Sequence, residues 1–162
     1  RLTFKAPAGG FDKSDKDNEL KATVMFPNDK VPLADQAGCW AACHEDAKGM
    51  PKGKDKTKYV SAGAMDLVQW ASSGKSSDGF VADKRNMTGG KAGATAEGAK
   101  AGDTYTVTFT RKLAGNAVLA AGKAVPFGIA IHADNAGGRF HHVSFGHTIG
   151  LGADGDVKAA KQ

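Results

Sequence analysis

The chain has 162 residues, 41% of them hydrophobic and 7% aromatic, with 22 lysines and arginines against 17 aspartates and glutamates, a formal net charge of +5. That length holds one domain with a real core and argues against two; the interspersed charges, with no dense arginine block, argue against a nucleic-acid binder. No run approaches the roughly 20 apolar residues of a membrane span, and the 22 glycines favour a turn-rich, mainly β protein over a helical bundle.

Leu2 and Phe4 alternate with polar neighbours and predict an edge strand, followed by a turn through Gly9-Gly10 and the charged stretch Asp12 to Asn18. Leu20, Ala22, Val24 and Phe26 alternate with Lys21, Thr23 and Met25, a half-buried strand that Pro27 ends. After Pro32 comes Cys39-Trp40-Ala41-Ala42-Cys43-His44, in a loop or short helical turn, and then a Gly/Lys-rich segment from Gly49 to Lys58. Lys48 and the segment's Lys52, Lys54, Lys56 and Lys58 form the sharpest basic run, which reads as a solvated loop ahead of a docking patch for an acidic redox partner. Val60, Met65, Leu67, Val68 and Trp70 fit a strand or a short helix, and a strand at 64–70 is favoured. Residues 72–102, with Ser72-Ser73-Gly74, Ser76-Ser77 and Gly89-Gly90, read as the least structured stretch, one that wraps the surface or covers a cofactor face.

Tyr105, Val107 and Phe109 alternate with Thr104, Thr106, Thr108 and Thr110 in the clearest strand of the chain. Val125 to Ile131 is nearly continuous apolar sequence broken by Pro126 and Gly128, a buried strand with an irregular start. With a turn at Asp134 to Gly138, Val125–Asp134 and Arg139–Leu151 read as a hairpin. Residues 1–162 are therefore expected to form a single antiparallel β-sandwich domain with long loops and room for short helices.

The hexapeptide at 39–44 contains the only two cysteines. In a covalent haem site each thiol adds to one vinyl group as a thioether, and the histidine directly after the second cysteine reaches the iron. The usual spacing places two residues between the cysteines; here Trp40, Ala41 and Ala42 make three. A Cys39–Cys43 disulfide would close a strained short loop and leave His44 unexplained. A zinc site needs about four ligands, and a thioredoxin-type pair needs two-residue spacing beside a βαβ pattern. Haem c, one per chain and covalent, is the favoured cofactor; Trp40 either packs on the porphyrin or fills a local core.

His44 supplies one axial position of two. The other four histidines, His132, His141, His142 and His147, lie close together near the C-terminus. His141 and His142 are adjacent in a predicted strand, so they face opposite sides and only one readily addresses a given haem. A methionine would raise the reduction potential; Met50 and Met87 in Gly/Lys loops suit that role better than Met65, which reads as core, or Met25. Arg111 and Arg139 are candidates to neutralise propionates, against a solvated surface role.

Val24-Met25-Phe26-Pro27, Met65-Asp66-Leu67-Val68-Gln69-Trp70, Phe140-His141-His142-Val143-Ser144 and Thr148-Ile149-Gly150-Leu151 carry a resemblance. Over residues 20–152 the chain resembles the haem-binding domain of ethylbenzene and dimethylsulfide dehydrogenase γ subunits, and the related domain fused to membrane-anchored multihaem cytochromes of the NapC/NirT type. The resemblance implies a β-sandwich that holds one haem and passes electrons. Those γ subunits bind a b haem through a methionine and a lysine; here the Cys39–His44 motif occupies the methionine region and His141 falls on the lysine position. The resemblance thus implies His44 and His141 as a bis-histidine pair, with His142 one position away.

The expected function is electron transfer without catalysis, since two filled axial positions leave no open site. A haem-based sensor or gas-binding protein with an open or displaceable distal site is the alternative. Covalent attachment implies export to the periplasm. With no signal peptide at Arg1, the chain reads as a mature protein or a soluble domain of a membrane-anchored one. Expected partners are redox proteins, among them a membrane-anchored multihaem cytochrome or a terminal reductase.

Overall fold

The computed structural model describes residues 1–5, 19–31, 33–38, 64–82, 84–132 and 141–159. Within these, the strands are β1 (Leu2–Lys5), β2 (Lys21–Pro27), β3 (Met65–Ala71), β4 (Ser76–Val81), β5 (Arg85–Asn86), β6 (Thr95–Ala101), β7 (Thr104–Thr110), β8 (Lys123–His132), β9 (His141–Val143), β10 (His147–Leu151) and β11 (Val157–Lys158). One short helix, α1 (Ala34–Ala37), follows β2.

The strands form two sheets. The small one has the order β1-β7-β6, with β1 at an edge as its short alternation predicts. Gly102, at φ +60°, takes the first central position of the two-residue β6–β7 turn, where a side chain would be strained. The large sheet runs β11-β10-β8-β2-β3-β4-β5, with β9 also paired to β8. All pairings are antiparallel except β10 with β11.

Strand alternation gives the large sheet an inner side, toward the small sheet, and an outer side. Leu20, Ala22, Val68 and Trp70 on the inner side pack against Ala92, Ala94, Ala96, Tyr105 and Val107, with Leu2 and Phe4 closing the edge. Complete burial of Leu20, Val68 and Val107 contributes about 1.5–3 kcal/mol each. A second apolar cluster, Met25, Val31, Ala34, Met65, Leu67 and Val81, lies on the outer side, with Met87 and Val143 packed against it. Strand β2 is therefore buried on both faces, not half-buried as its alternation suggests; its intervening residues Thr23 and Met25 are as covered as Ala22 and Val24.

The other departure is residues 72–102, which hold β4, β5 and β6 rather than a structureless wrap. Their small residues are there because backbone passes close to other groups. A Cβ on Gly98 would enter the Trp70 indole, one on Gly79 would enter the Asn86 carbonyl, and Ala92, Ala94 and Ala96 are core residues. Ser76 contributes a hydroxyl that accepts from the Ala96 N–H at 2.8 Å, tying β4 to β6.

Asp66, fully buried on the inner side of β3, anchors the loop after β7. Its carboxylate accepts from Arg111 Nη2 at 2.9 Å and from Asn116 N, Asn116 Nδ2 and Ala117 N, each at 3.0 Å. The Arg111 guanidinium lies 4.7 Å over the Phe26 ring and also donates to the Ala117 carbonyl. Burial pulls the Arg111 pKa down, and the neighbouring Asp66 charge opposes that shift.

Candidate functional site

The register of β3, β2, β8 and β9 sorts the outer side of the large sheet into rows. Met65 pairs with Pro27; Leu67 pairs with Met25, which pairs in turn with Gly128; Gln69 pairs with Thr23, which pairs with Ala130, the partner of Val143; and the last row runs Ala71, Lys21, His132 and His141. The surface thus grades from thioethers and Leu67, through a Gln69 Nε2 to Thr23 Oγ1 hydrogen bond of 2.9 Å, to a cation and two imidazoles. The His132 and His141 rings stack, with centroids 5.1 Å apart and planes 21° from parallel.

Alternation sends the neighbouring histidine the other way. His142 pairs with Ile131, whose side chain belongs to the inner side, and His142 is exposed. His147 pairs with Phe127, also inner, with the rings 6.0 Å apart and Nδ1 3.9 Å from an Asp156 carboxylate oxygen. Of the four C-terminal histidines, the outer side takes His132 and His141.

Between β9 and β10 the strand carries one extra residue. His141–Val143 pair with His132–Ala130, yet His147 pairs with Phe127, so three residues on one strand face two on the other. Ser144 repairs the ladder: its N–H donates to Ile129 O and its hydroxyl accepts from Ile129 N–H, both at 2.8 Å. Gly146 turns its N–H away from the sheet to the Gln36 carbonyl in α1, at 2.9 Å.

This bulge holds α1. A Cβ on Gly146 would be driven into the Asp35 carbonyl, and one on Gly38 would sit 3.0 Å from the Phe145 carbonyl oxygen. Gly38 has φ +54° and ψ −134°, so it ends α1 as it meets the bulge. Gly38 directly precedes Cys39, and Phe145 lies four residues beyond His141, about 13 Å along an extended strand. His44 is six residues past Gly38, a reach of up to about 20 Å. The fold therefore brings the chain entering the cysteine motif to the strand that carries His141.

Cys39, Trp40, Cys43, His44, Met50 and Arg139 lie outside the described residues. Met65 is core, as expected, and Met87 packs against the outer cluster with Met25 and Met65. Arg111 corrects its solvated reading: its side chain is buried against Asp66, which lies on the inner side of β3. The sequence signals that stand out only in the structure are the glycines at 38 and 146 and the parity shared by His132 and His141 across their hairpin.

These residues fit a haem better than a free metal ion. Among the described residues no three His, Cys, Asp or Glu side chains converge as a metal cage. Two imidazoles on the same side of the sheet as the buried Met25, Met65 and Leu67 suit a macrocycle that would bring its own four nitrogen donors and need only axial ligands.

No protein-family model matches the chain. It is 52% identical over 164 residues to cytochrome c-551 of Rhodocyclus tenuis, and 48% identical over 175 residues to cytochrome c-552 of Stutzerimonas stutzeri. Both alignments cover all of this chain but 63% and 60% of the relatives, so it spans about three-fifths of their length. None of its described helices is long and apolar enough to cross a membrane. Along its whole length, the chain is a relative of c-type cytochromes.

Proposed function

We propose that residues 1–162 form one electron-transfer domain carrying a single haem c, joined through Cys39 and Cys43 and held axially by His44 and His141. The observation that carries this reading is the clamp between Gly38 and Phe145–Gly146, which brings the chain just ahead of the cysteine motif to the bulge after β9, the strand that turns His141 to the outer side. Kinship with two c-type cytochromes supports the thioether attachment, and the two-sheet architecture supports the narrower likeness to dehydrogenase γ subunits.

A bound haem supplies a one-electron iron couple; the protein's part is binding, orientation and dielectric. His141 sits on backbone paired to β8, so its ring is held in place whichever oxidation state it serves. Met25, Met65 and Leu67 keep water from the apolar end of the surface, and that low dielectric favours the less charged state and a higher potential. With both axial positions filled by side chains there is no vacancy for substrate, which makes the domain a carrier rather than a catalyst. Covalent attachment places it in the periplasm, exchanging electrons with redox proteins such as a membrane-anchored multihaem cytochrome or a terminal reductase.

The experiment is intact mass under denaturing conditions, followed by optical spectra of the reduced protein with carbon monoxide. The expected result is a mass increment of one haem per chain and a low-spin spectrum that carbon monoxide leaves largely unchanged. His141→Ala then opens the iron to carbon monoxide, and His142→Ala does not. Free haem on denaturation removes the thioether assignment. Rapid conversion of the wild type points instead to an open-site sensor, and loss of the low-spin spectrum in His142→Ala alone moves the ligand by one residue.

A further inference from the structure

The His132–His141 pair does something the axial assignment does not require. Coordination uses a ring nitrogen in the imidazole plane, whereas the 5.1 Å, 21° stack engages the faces of the two rings. A parallel ring against one face of His141 restrains rotation about the bond an axial nitrogen would make. The two residues are also register partners, so the stack is built on paired backbone rather than on a flexible loop. His132 is flanked by Lys21 on one side and His141 on the other, whereas among the described strands β9, which carries His141, has β8 as its single neighbour.

We propose that His132 is a positioning residue for His141: its stacked ring sets the plane of the axial imidazole and slows its departure from the iron. This rests on the haem reading above and deepens it, because it names what fixes the second ligand. The orientation of an axial imidazole plane governs the splitting of the iron d orbitals. The stack is thus expected to show in the low-spin ferric electron paramagnetic resonance spectrum even where coordination number is unchanged.

The test uses the holoprotein and three variants: His132→Phe, which keeps a stackable ring without nitrogens, His132→Leu, which keeps bulk without a ring, and His132→Ala. Wild-type mass and optical spectrum first establish the haem and its low-spin state, so failure of the underlying reading is seen separately. Each variant is then examined by paramagnetic resonance, redox titration and carbon monoxide binding to the reduced form, with melting recorded alongside. The expected result is wild-type g-values in His132→Phe. His132→Leu and His132→Ala should show shifted or broadened g-values while staying six-coordinate. Carbon monoxide capture in those two should rise between about two- and tenfold, the range an aromatic ring contact carries. Wild-type g-values and capture in both ring-free variants overturn the proposal. So does a high-spin spectrum in all three with His141→Ala still low-spin, since His132 would then be the ligand itself. Should His132→Ala fail to fold, the comparison of Phe with Leu decides.

Discussion

Replacing Asp66 tests the energetic account of the sandwich most severely. The carboxylate is fully buried and accepts four hydrogen bonds, one from a guanidinium whose side chain is only 8% exposed. Asp66→Asn keeps the shape but turns an amide NH2 toward donors and takes from the Arg111 charge its hydrogen-bonded carboxylate, leaving it the carbonyls of Lys112, Ala114 and Ala117, the Phe26 ring and the more remote Asp78 charge. Removing one member of a buried ion pair costs about 3–5 kcal/mol. For a chain of this size each kcal/mol moves Tm by about 2–4 °C, so the variant should melt roughly 6–20 °C lower. Arg111→Met should cost less, because three N–H donors still satisfy Asp66, and the double variant should cost less than the sum of the single ones. Urea unfolding followed by far-ultraviolet circular dichroism measures all three. A loss within about 0.5 kcal/mol for Asp66→Asn, the size of a surface substitution, would refute the reasoning. The Soret spectrum of the folded variant should match wild type, because Asp66 and His141 lie on opposite sides of the sheet.

Gly146→Ala should weaken the hold of the bulge on α1, because the new methyl is forced into the Asp35 carbonyl. A stability loss of about 1–3 kcal/mol and a larger haem-free fraction by intact mass are expected, and unchanged haem incorporation would count against the clamp. Asp156 accepts from the Thr148 N–H at 2.8 Å and hydroxyl at 3.1 Å, and these bonds, the backbone one foremost, hold its carboxyl below the ordinary carboxylate range. A folded pKa below the unfolded one means that the unfolded chain takes up the proton first as pH falls. This tie therefore stabilises fully above about pH 4 and is lost as pH drops through the depressed value. Asp156→Asn should flatten that part of the acid transition; an Asp156 carboxyl titration by NMR centred above the ordinary value would contradict it.

What was legible in the sequence follows from what each residue does. Tyr105, Val107 and Phe109 have one face to bury and alternate cleanly, so β7 reads directly, as do β1 and the β8–β9–β10 hairpin. Residues 72–102 do not, because their positions are set by how near Trp70 and Asn86 come, and a sequence shows a glycine without showing what it makes room for. The single-face reading of β2 fails for a related reason. Thr23 and Lys21 look solvent-directed beside Ala22 and Val24, yet a second apolar cluster lies on that side, assembled from Val31, Ala34, Met65 and Val81. Arg111 is the same problem in charge: its partner Asp66 is 45 residues away, inside a segment that reads as hydrophobic.

The parity of the histidines was readable in principle and needed only the register. Once His141 is paired with His132, every second residue back along β8 and forward along β9 has its side fixed, and His142 is committed to the Ile131 side. The three-residue spacer between the cysteines is a problem of the same kind with the opposite answer. On a helix, the 3.6-residue period dictates which spacings put two thiols on one face, and changing the count by one rotates a cysteine by about 100°. Gly38 ends α1 at φ +54° and ψ −134°, one residue before Cys39, so the helix that leads to the motif does not set the direction in which the chain enters it. That direction is set by contact with Phe145 and Gly146. On the proposed reading, a motif reached from such a clamp would not be bound by the count that a helix running into it imposes, and its second ligand would come from β9, just before the bulge that makes the clamp.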